Sequence, residues 1–294
     1  MTDTPDLDRT LDLDRIGAVI FEIDGVVANT APVHAAAWKH SLDMFLRGRC
    51  RARGVQAAPF DVQMDYLRYL DGRTVSDGVR EFLASRGVDD ESVDLLDDIT
   101  RRQVTLFLRE IGRYGVAPFR ACVALVRELR DRHAATAAVS TAPIGTRVLT
   151  AAQVASLFDV RVDRSHLDGQ PTTVRSGGTG QREERDLRQE LEEAVLAESV
   201  RRLRLPPTQT AVVQRSLTGV RAARRLGFGL VVGVDSGPTV EVSTGPGERT
   251  SRDRPSTDRA SNERELRRAG AHLVVRDLAQ LDVAGRRRPL VKPV

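Results

Sequence analysis

Lysine is nearly absent from this chain. Of 294 residues, 45 are Lys or Arg, yet lysine stands only at Lys39 and Lys292. A site that needs a compact ammonium group has little to draw on, because the planar fork of arginine is a poor replacement. Aromatic residues make up 4%. The core must therefore be built from Val, Leu, Ile and Ala, and a surface of stacked rings for nucleic-acid bases is excluded. Cysteine occurs twice, at Cys50 and Cys122, with neither metal-ligand spacing nor a disulfide framework, which fits a reducing compartment. No apolar run approaches the ~18–20 residues of a membrane span. The stretch MTDTPDLDRTLDLDR is polar and lacks the apolar segment of a signal peptide. The expectation is a cytoplasmic protein with no membrane partner.

Hydrophobic residues reach 40% and charged residues 29%, with a formal net charge of +4. A core is affordable, but some segments must be solvated. The arginines are spread along the chain and are densest in RGRCRAR (47–53) and RRR (286–288). They form no recognition motif, so they read as solvated surface and no nucleic-acid partner is expected.

Short apolar runs at 18–21, 136–140, 211–213, 229–234 and 272–275 have the composition of strands buried on both faces. Helical patterns at 120–132, 146–158, 194–205 and 218–228 separate them. This alternation predicts an α/β fold with a doubly wound parallel sheet. Between the first strand and the rest lie helical patterns at 33–46, 76–87 and 91–112. They predict a helical cap inserted over residues 33–115, above the carboxyl end of the sheet, where open α/β proteins bind ligands. The core is then 14–32 plus 116–285, with tails at 1–13 and 286–294. Two stretches, 169–190 and 236–262, are rich in Gly, Ser, Thr, Pro and charge, and predict disordered insertions.

The first strand ends in AVIFEIDGVVANT (18–30). Glu22 and Asp24 are two residues apart, so they share a face of the strand end. Such a pair suits phosphoryl transfer, with one carboxylate attacking and the other serving as general acid/base. Both could help hold Mg²⁺. A strand that simply ends in acidic turn residues fits the local motif equally well.

The wider sequence resembles the haloacid dehalogenase (HAD) superfamily, in its β-phosphoglucomutase-like branch. The resemblance rests on FEIDGVVANTAPVHAAAWKHSLDMFL, LDGRTVSDGVREFLASRG, SLFDVRVD, TGVRAARRLGFGLVVGVD and GAHLVVRDLAQL, taken in order. The wording around VHAAAW and TGVRAAR is also similar to the N-terminal HAD-like domain of some actinobacterial trehalose-phosphatase proteins. The resemblance implies a Rossmann-like core, an α-helical cap, Mg²⁺ and a sugar-phosphate or other phosphorylated small-molecule ligand.

Carried over residue by residue, the resemblance puts Glu22 in the place of an aspartate nucleophile and Asp24 in the general acid/base position. Glutamate is one methylene longer, and a misplacement on the order of 1 Å can cost about 10²-fold in rate. Ser140, with Thr141 beside it, supplies the phosphoryl-binding hydroxyl of VSTAP. The lysine of the third motif falls at Gln170 in GQPTTV, with Arg175 nearby, or within LEEAVL (191–196); neither alignment offers a lysine. Gln214 and Arg215 of AVVQRSLTGV fill the two acidic metal positions. Asp24 and Glu22 are then the only metal ligands left if a metal binds. In the cap, Arg73 and His34 are candidate substrate contacts.

Two readings follow. The first is a non-catalytic or strongly impaired module that binds a sugar phosphate or a protein partner, a pseudoenzyme of the family. The second is a weakly active phosphohydrolase or β-phosphoglucomutase working through Glu22 or an activated water.

Overall fold

The chain was analysed as a computed structural model that describes residues 9–53, 58–70, 75–88, 92–167, 181–235 and 256–286. Its elements begin with β1 (Thr10–Asp12), β2 (Ala18–Glu22) and α1 (Ala31–Arg53). After α2 (Val75–Ser85) and α3 (Val93–Tyr114) come α4 (Arg120–Asp131), β3 (Ala135–Ser140), α5 (Gly145–Ala151) and β4 (Val160–Asp163). The second half runs α6 (Gln181–Leu203), β5 (Thr210–Gln214), α7 (Leu217–Arg225), β6 (Leu230–Val234), α8 (Ser256–Ala269), β7 (Leu273–Val275) and β8 (Asp282–Ala284).

Six strands form one sheet in the order β4-β3-β2-β5-β6-β7, with every pairing parallel. All five expected strands are present. Strand β2 is central and carries Val19 and Phe21 into the hydrophobic cluster on one face and Ile20 into that on the other. Covering both faces is what makes these runs continuously apolar. The chain crosses from β2 to β3 on one side, and β5 flanks β2 on the other. The carboxyl ends of these three strands therefore frame the crevice where the strand order reverses.

The cap is formed by α1, the π-helical turn Tyr66–Leu70, α2 and α3, around Trp38, Leu42, Phe60, Phe82, Leu96 and Ile99. Its two connections to the core run side by side. Asn29 N donates to Ala117 O at 2.9 Å, and Phe119 N donates to Val27 O at 2.9 Å. Helix α3 stops at Gly115, which has φ +74. A side chain there would be strained, and its Cβ would stand 3.1 Å from Ala151 O of the core.

Three expectations need correction. The N-terminal tail expected over 1–13 contains β1, which pairs in parallel with β8. Of the two expected disordered insertions, residues 181–190 and 256–262 belong to α6 and α8; the remainder lies outside the described residues. In 181–190 the charge misleads because Glu, Arg, Gln and Leu are good helix formers. Each helix is anchored downstream, α6 by buried Leu191, Val195 and Leu196 and α8 by Leu266. The helix expected over 146–158 ends at Ala151, and the chain turns through Gln153 at φ 58 into a 3-10 turn, Ala155–Leu157.

Candidate functional site

Glu22 closes β2, and Gly25 turns the chain three residues later, with φ +78. That left-handed conformation favours glycine, and so does the space: a Cβ on Gly25 would stand 2.6 Å from Arg215 Cδ. The Arg215 side chain thus lies across the turn that carries Asp24. Asp24 is held from two sides. Thr30 Oγ1 donates to its Oδ1 at 2.9 Å, and Ser140 Oγ, at the end of β3, donates to its Oδ2 at 3.2 Å. Ser140 Oγ also accepts from Ala142 N at 3.1 Å, which fixes the turn containing Thr141.

The Glu22 carboxylate points toward the turn after β5. Its Oε2 accepts from Arg215 N at 2.6 Å and from Ser216 N at 3.1 Å. The added methylene of glutamate supplies reach toward these amides. Burial pushes the Glu22 carboxyl above the ordinary range; the two amides and the Arg215 charge oppose that push, while the Asp24 charge adds to it.

A further acid stands at this site. Glu192 of α6 is 6% exposed and accepts from Ser216 Oγ at 3.3 Å. Burial first, and then the charge of Glu22, pushes it up to about 8. Ser216 thereby joins the two carboxyls, through its N–H to Glu22 and its hydroxyl to Glu192. The same hydroxyl caps α7 by accepting from Gly219 N at 3.0 Å. Gln214 ends β5 fully buried, and neither amide atom has a hydrogen-bond partner among the described residues. Its side chain lies against the first turn of α7, where a Cβ on Gly219 would collide with Gln214 Oε1.

His34, in the first turns of α1, stacks on Phe107 with ring centroids 4.1 Å apart and places Nδ1 3.2 Å from Gln103 Nε2. Burial holds its pKa below 6.5, and the charge of Asp24 works against that shift. Asp163 at the end of β4 is 2% exposed and ties down the start of α5. Thr146 N and Oγ1 donate to its Oδ2 at 3.0 and 2.9 Å. Burial pushes this carboxyl up, but hydrogen bonds from Ser165 and Thr146 outweigh it and leave the pKa lowered.

The fold therefore assembles Glu22, Asp24, Ser140, Gln214 and Arg215 at the ends of β2, β3 and β5, with His34 electrostatically coupled to Asp24 from the cap side. Arg73, Gln170 and Arg175 lie outside the described residues. Sequence reasoning missed Thr30, Ser216 and the burial of Glu192. The last had a signal: on a helix, Glu192 shares the stripe of Val195, Leu196 and Ser199, all buried.

A β-phosphoglucomutase of Mycobacterium tuberculosis is 27% identical over 276 residues, covering 91% of this chain and 92% of that protein. This similarity supports an assignment to the haloacid dehalogenase superfamily, in its β-phosphoglucomutase-like branch. An uncharacterized glycosyl hydrolase of the same organism is 33% identical over 234 residues, which are 77% of this chain and 16% of that protein. A β-phosphoglucomutase structure from Clostridium difficile shares the fold, with a TM-score of 0.55, 17% identity, and coverage of 91% of this chain and 93% of that one. No family model matches.

Members of this family generally use Mg²⁺. Oxygen donors suit that ion, and it demands near-ideal octahedral geometry. The donors at the strand ends here are Glu22, with Oε2 taken by two amides, and Asp24, with both oxygens hydrogen-bonded. The guanidinium chain of Arg215 crosses the same turn. Among the described residues, no group of three or more His, Cys, Asp or Glu side chains could hold a metal. No helix among them is long and apolar enough to cross a membrane.

Proposed function

We propose that this chain is a cytoplasmic HAD-fold module that binds a phosphorylated sugar between core and cap, with its metal-dependent phosphoryl transfer lost or strongly impaired. The observation that carries this reading is the double hydrogen bond from Arg215 N and Ser216 N to Glu22 Oε2. A carboxylate so committed is turned away from in-line attack, and freeing it would leave two backbone donors unpaired, at about 1–3 kcal/mol each. The donor set does not fit Mg²⁺, because the cation of Arg215 occupies ground that a metal shell would need to be anionic. Arg215 and the Ser140–Thr141 turn instead offer a cation and hydroxyls suited to an anionic phosphate ester. A protein partner would be a further ligand of such a module.

A second reading, an impaired phosphohydrolase or β-phosphoglucomutase, draws on Asp24. Anchored by Thr30 and Ser140, it is positioned as a general acid/base would be.

The test measures phosphatase and phosphoglucomutase turnover with Mg²⁺, beside a Glu22→Ala control, together with equilibrium binding of glucose 6-phosphate. The expected result is saturable binding without Mg²⁺ and no turnover above the control. Turnover abolished by Glu22→Ala would refute the non-catalytic reading. In the double variant Glu22→Asp, Arg215→Asp, Mg²⁺ affinity is expected to rise at least tenfold; an unchanged affinity would show that Arg215 does not stand at the metal position.

A further inference from the structure

A cavity opens at the junction of cap and core. Its volume is ≈ 630 Å³, within the range of small-molecule sites. One wall is the end of α3, with Leu108, Ile111, Arg113 and Tyr114, and the other is α5 with Arg147, continuing to Gln153. It shares no residue with the Glu22, Asp24, Ser140 and Arg215 set.

Three features give this cavity a chemical preference. It has one guanidinium on each wall and no acidic residue in its lining. Neither Arg113 nor Arg147 has an ion-pair partner among the described residues; the Arg113 guanidinium lies over the Tyr114 ring, 5.2 Å from its carbon to the centroid. Tyr114 is 71% exposed, and so offers a face for stacking. Ile111 beneath is buried and apolar. Two planar cations facing a common space suit phosphate oxygens, which they bind in bidentate fashion. An exposed aromatic ring beside them suits a planar heterocycle.

From this geometry we infer that the cavity is a binding site for a nucleoside phosphate, with the phosphate between Arg113 and Arg147 and the base on Tyr114. The walls belong to different units joined through Gly115, and Val116 N reaches Ala151 O across the junction at 3.4 Å. A ligand held by both walls would therefore fix the angle of the cap relative to the core.

Isothermal titration calorimetry of the full chain with AMP, and separately with pyrophosphate, tests the assignment. Wild type is expected to bind AMP with one site per chain. The double variant Arg113→Ala, Arg147→Ala is expected to weaken both probes at least tenfold. Tyr114→Ala is expected to weaken AMP about fivefold and leave pyrophosphate unchanged, which separates stacking from charge. Arg215→Gln is expected to leave AMP affinity unchanged, so failure here is distinct from failure of the sugar-phosphate reading. The three side chains are exposed, and thermal unfolding of each variant verifies its fold. Absence of AMP binding to wild type at millimolar concentration, equal affinity in the double variant, or loss in Arg215→Gln would each overturn the assignment.

Discussion

Replacing Glu192 with Gln should stabilise the protein, and the gain should grow with pH. Glu192 is 6% exposed, and burial aided by the charge of Glu22 moves its pKa from 4.5 to about 8. Below pH 4.5 the group is protonated in both folded and unfolded chains, and no cost arises. Above it, the unfolded chain releases the proton while the folded chain keeps it. The folded state then binds more protons, so stability falls as pH rises, until the folded group also ionises near pH 8. At about 1.36 kcal/mol per pH unit, the full cost is about 5 kcal/mol above pH 8 and about 3 kcal/mol at pH 7. Local relaxation and water entry reduce such penalties, so roughly half is the expected observable.

Glutamine keeps the shape and an oxygen that Ser216 Oγ can donate to, and it cannot ionise. Urea unfolding of wild type and Glu192→Gln at pH 5, 7 and 9 reads the difference directly. His34 contributes in the opposite sense: its pKa is lowered on folding, so its share of stability grows as pH rises toward 6.5. That share is common to both proteins and cancels in the difference. The variant should match wild type at pH 5 to within about 1 kcal/mol and exceed it by about 2 kcal/mol or more at pH 9. A difference that does not vary with pH, or a variant less stable at pH 9, would refute the buried, protonated Glu192.

Gln214→Met removes two unpaired amide atoms at constant length and should raise stability by about 1–3 kcal/mol; an unchanged or lower Tm would show that the amide is satisfied. Gly25→Ala forces a side chain into φ +78 and against Arg215 Cδ. It should cost about 1–3 kcal/mol in urea unfolding, and a neutral result would show that Arg215 does not lie over the turn. Followed by ring-proton NMR, His34 should titrate below 6.5, and Asp24→Asn should lower its midpoint further because the Asp24 charge holds it up. A higher midpoint in Asp24→Asn would contradict that coupling.

The central strands were legible because burial on both faces leaves runs such as AVIF and AVV without polar interruption. Strand β4 was not, since its sequence VRVD places Arg161 at the sheet edge, where one side needs no cover. Strands β1 and β8 have three residues each and are paired only across the whole chain, Thr10 with Asp282; no local pattern encodes that contact. At the site, spacing alone brought Glu22 and Asp24 together, and the family resemblance, carried over residue by residue, supplied Ser140, Gln214 and Arg215. The direction of the Glu22 carboxylate was not legible, because it depends on where the backbone of residues 215 and 216 passes. The orphaned amide of Gln214 is tertiary in origin too, a matter of which atoms reach it and which do not.

On the proposed reading, the unusual residues support one another. Glutamate at position 22 reaches the amides of residues 215 and 216, and those amides offset part of the rise in its pKa that burial imposes. Glu192 can then stand beside it only by keeping its proton. A lysine in that place would instead compete with the amides for the Glu22 charge. With Glu192 neutral, the formal charges of Glu22, Asp24 and Arg215 sum to −1, so the site approaches balance without a divalent ion. Changing one member strands the others: Glu22→Asp shortens the reach and leaves two buried N–H groups short of an acceptor, while Arg215→Asp adds a third negative charge beside Glu22 and Asp24. The single variants should therefore each lose stability, and the double variant should lose less than their sum when Mg²⁺ is present. Neighbouring charges that share partners are the case in which mutational energies fail to add. Simple additivity in a double-mutant cycle, with and without Mg²⁺, would show that these residues do not act as one charge-balanced set.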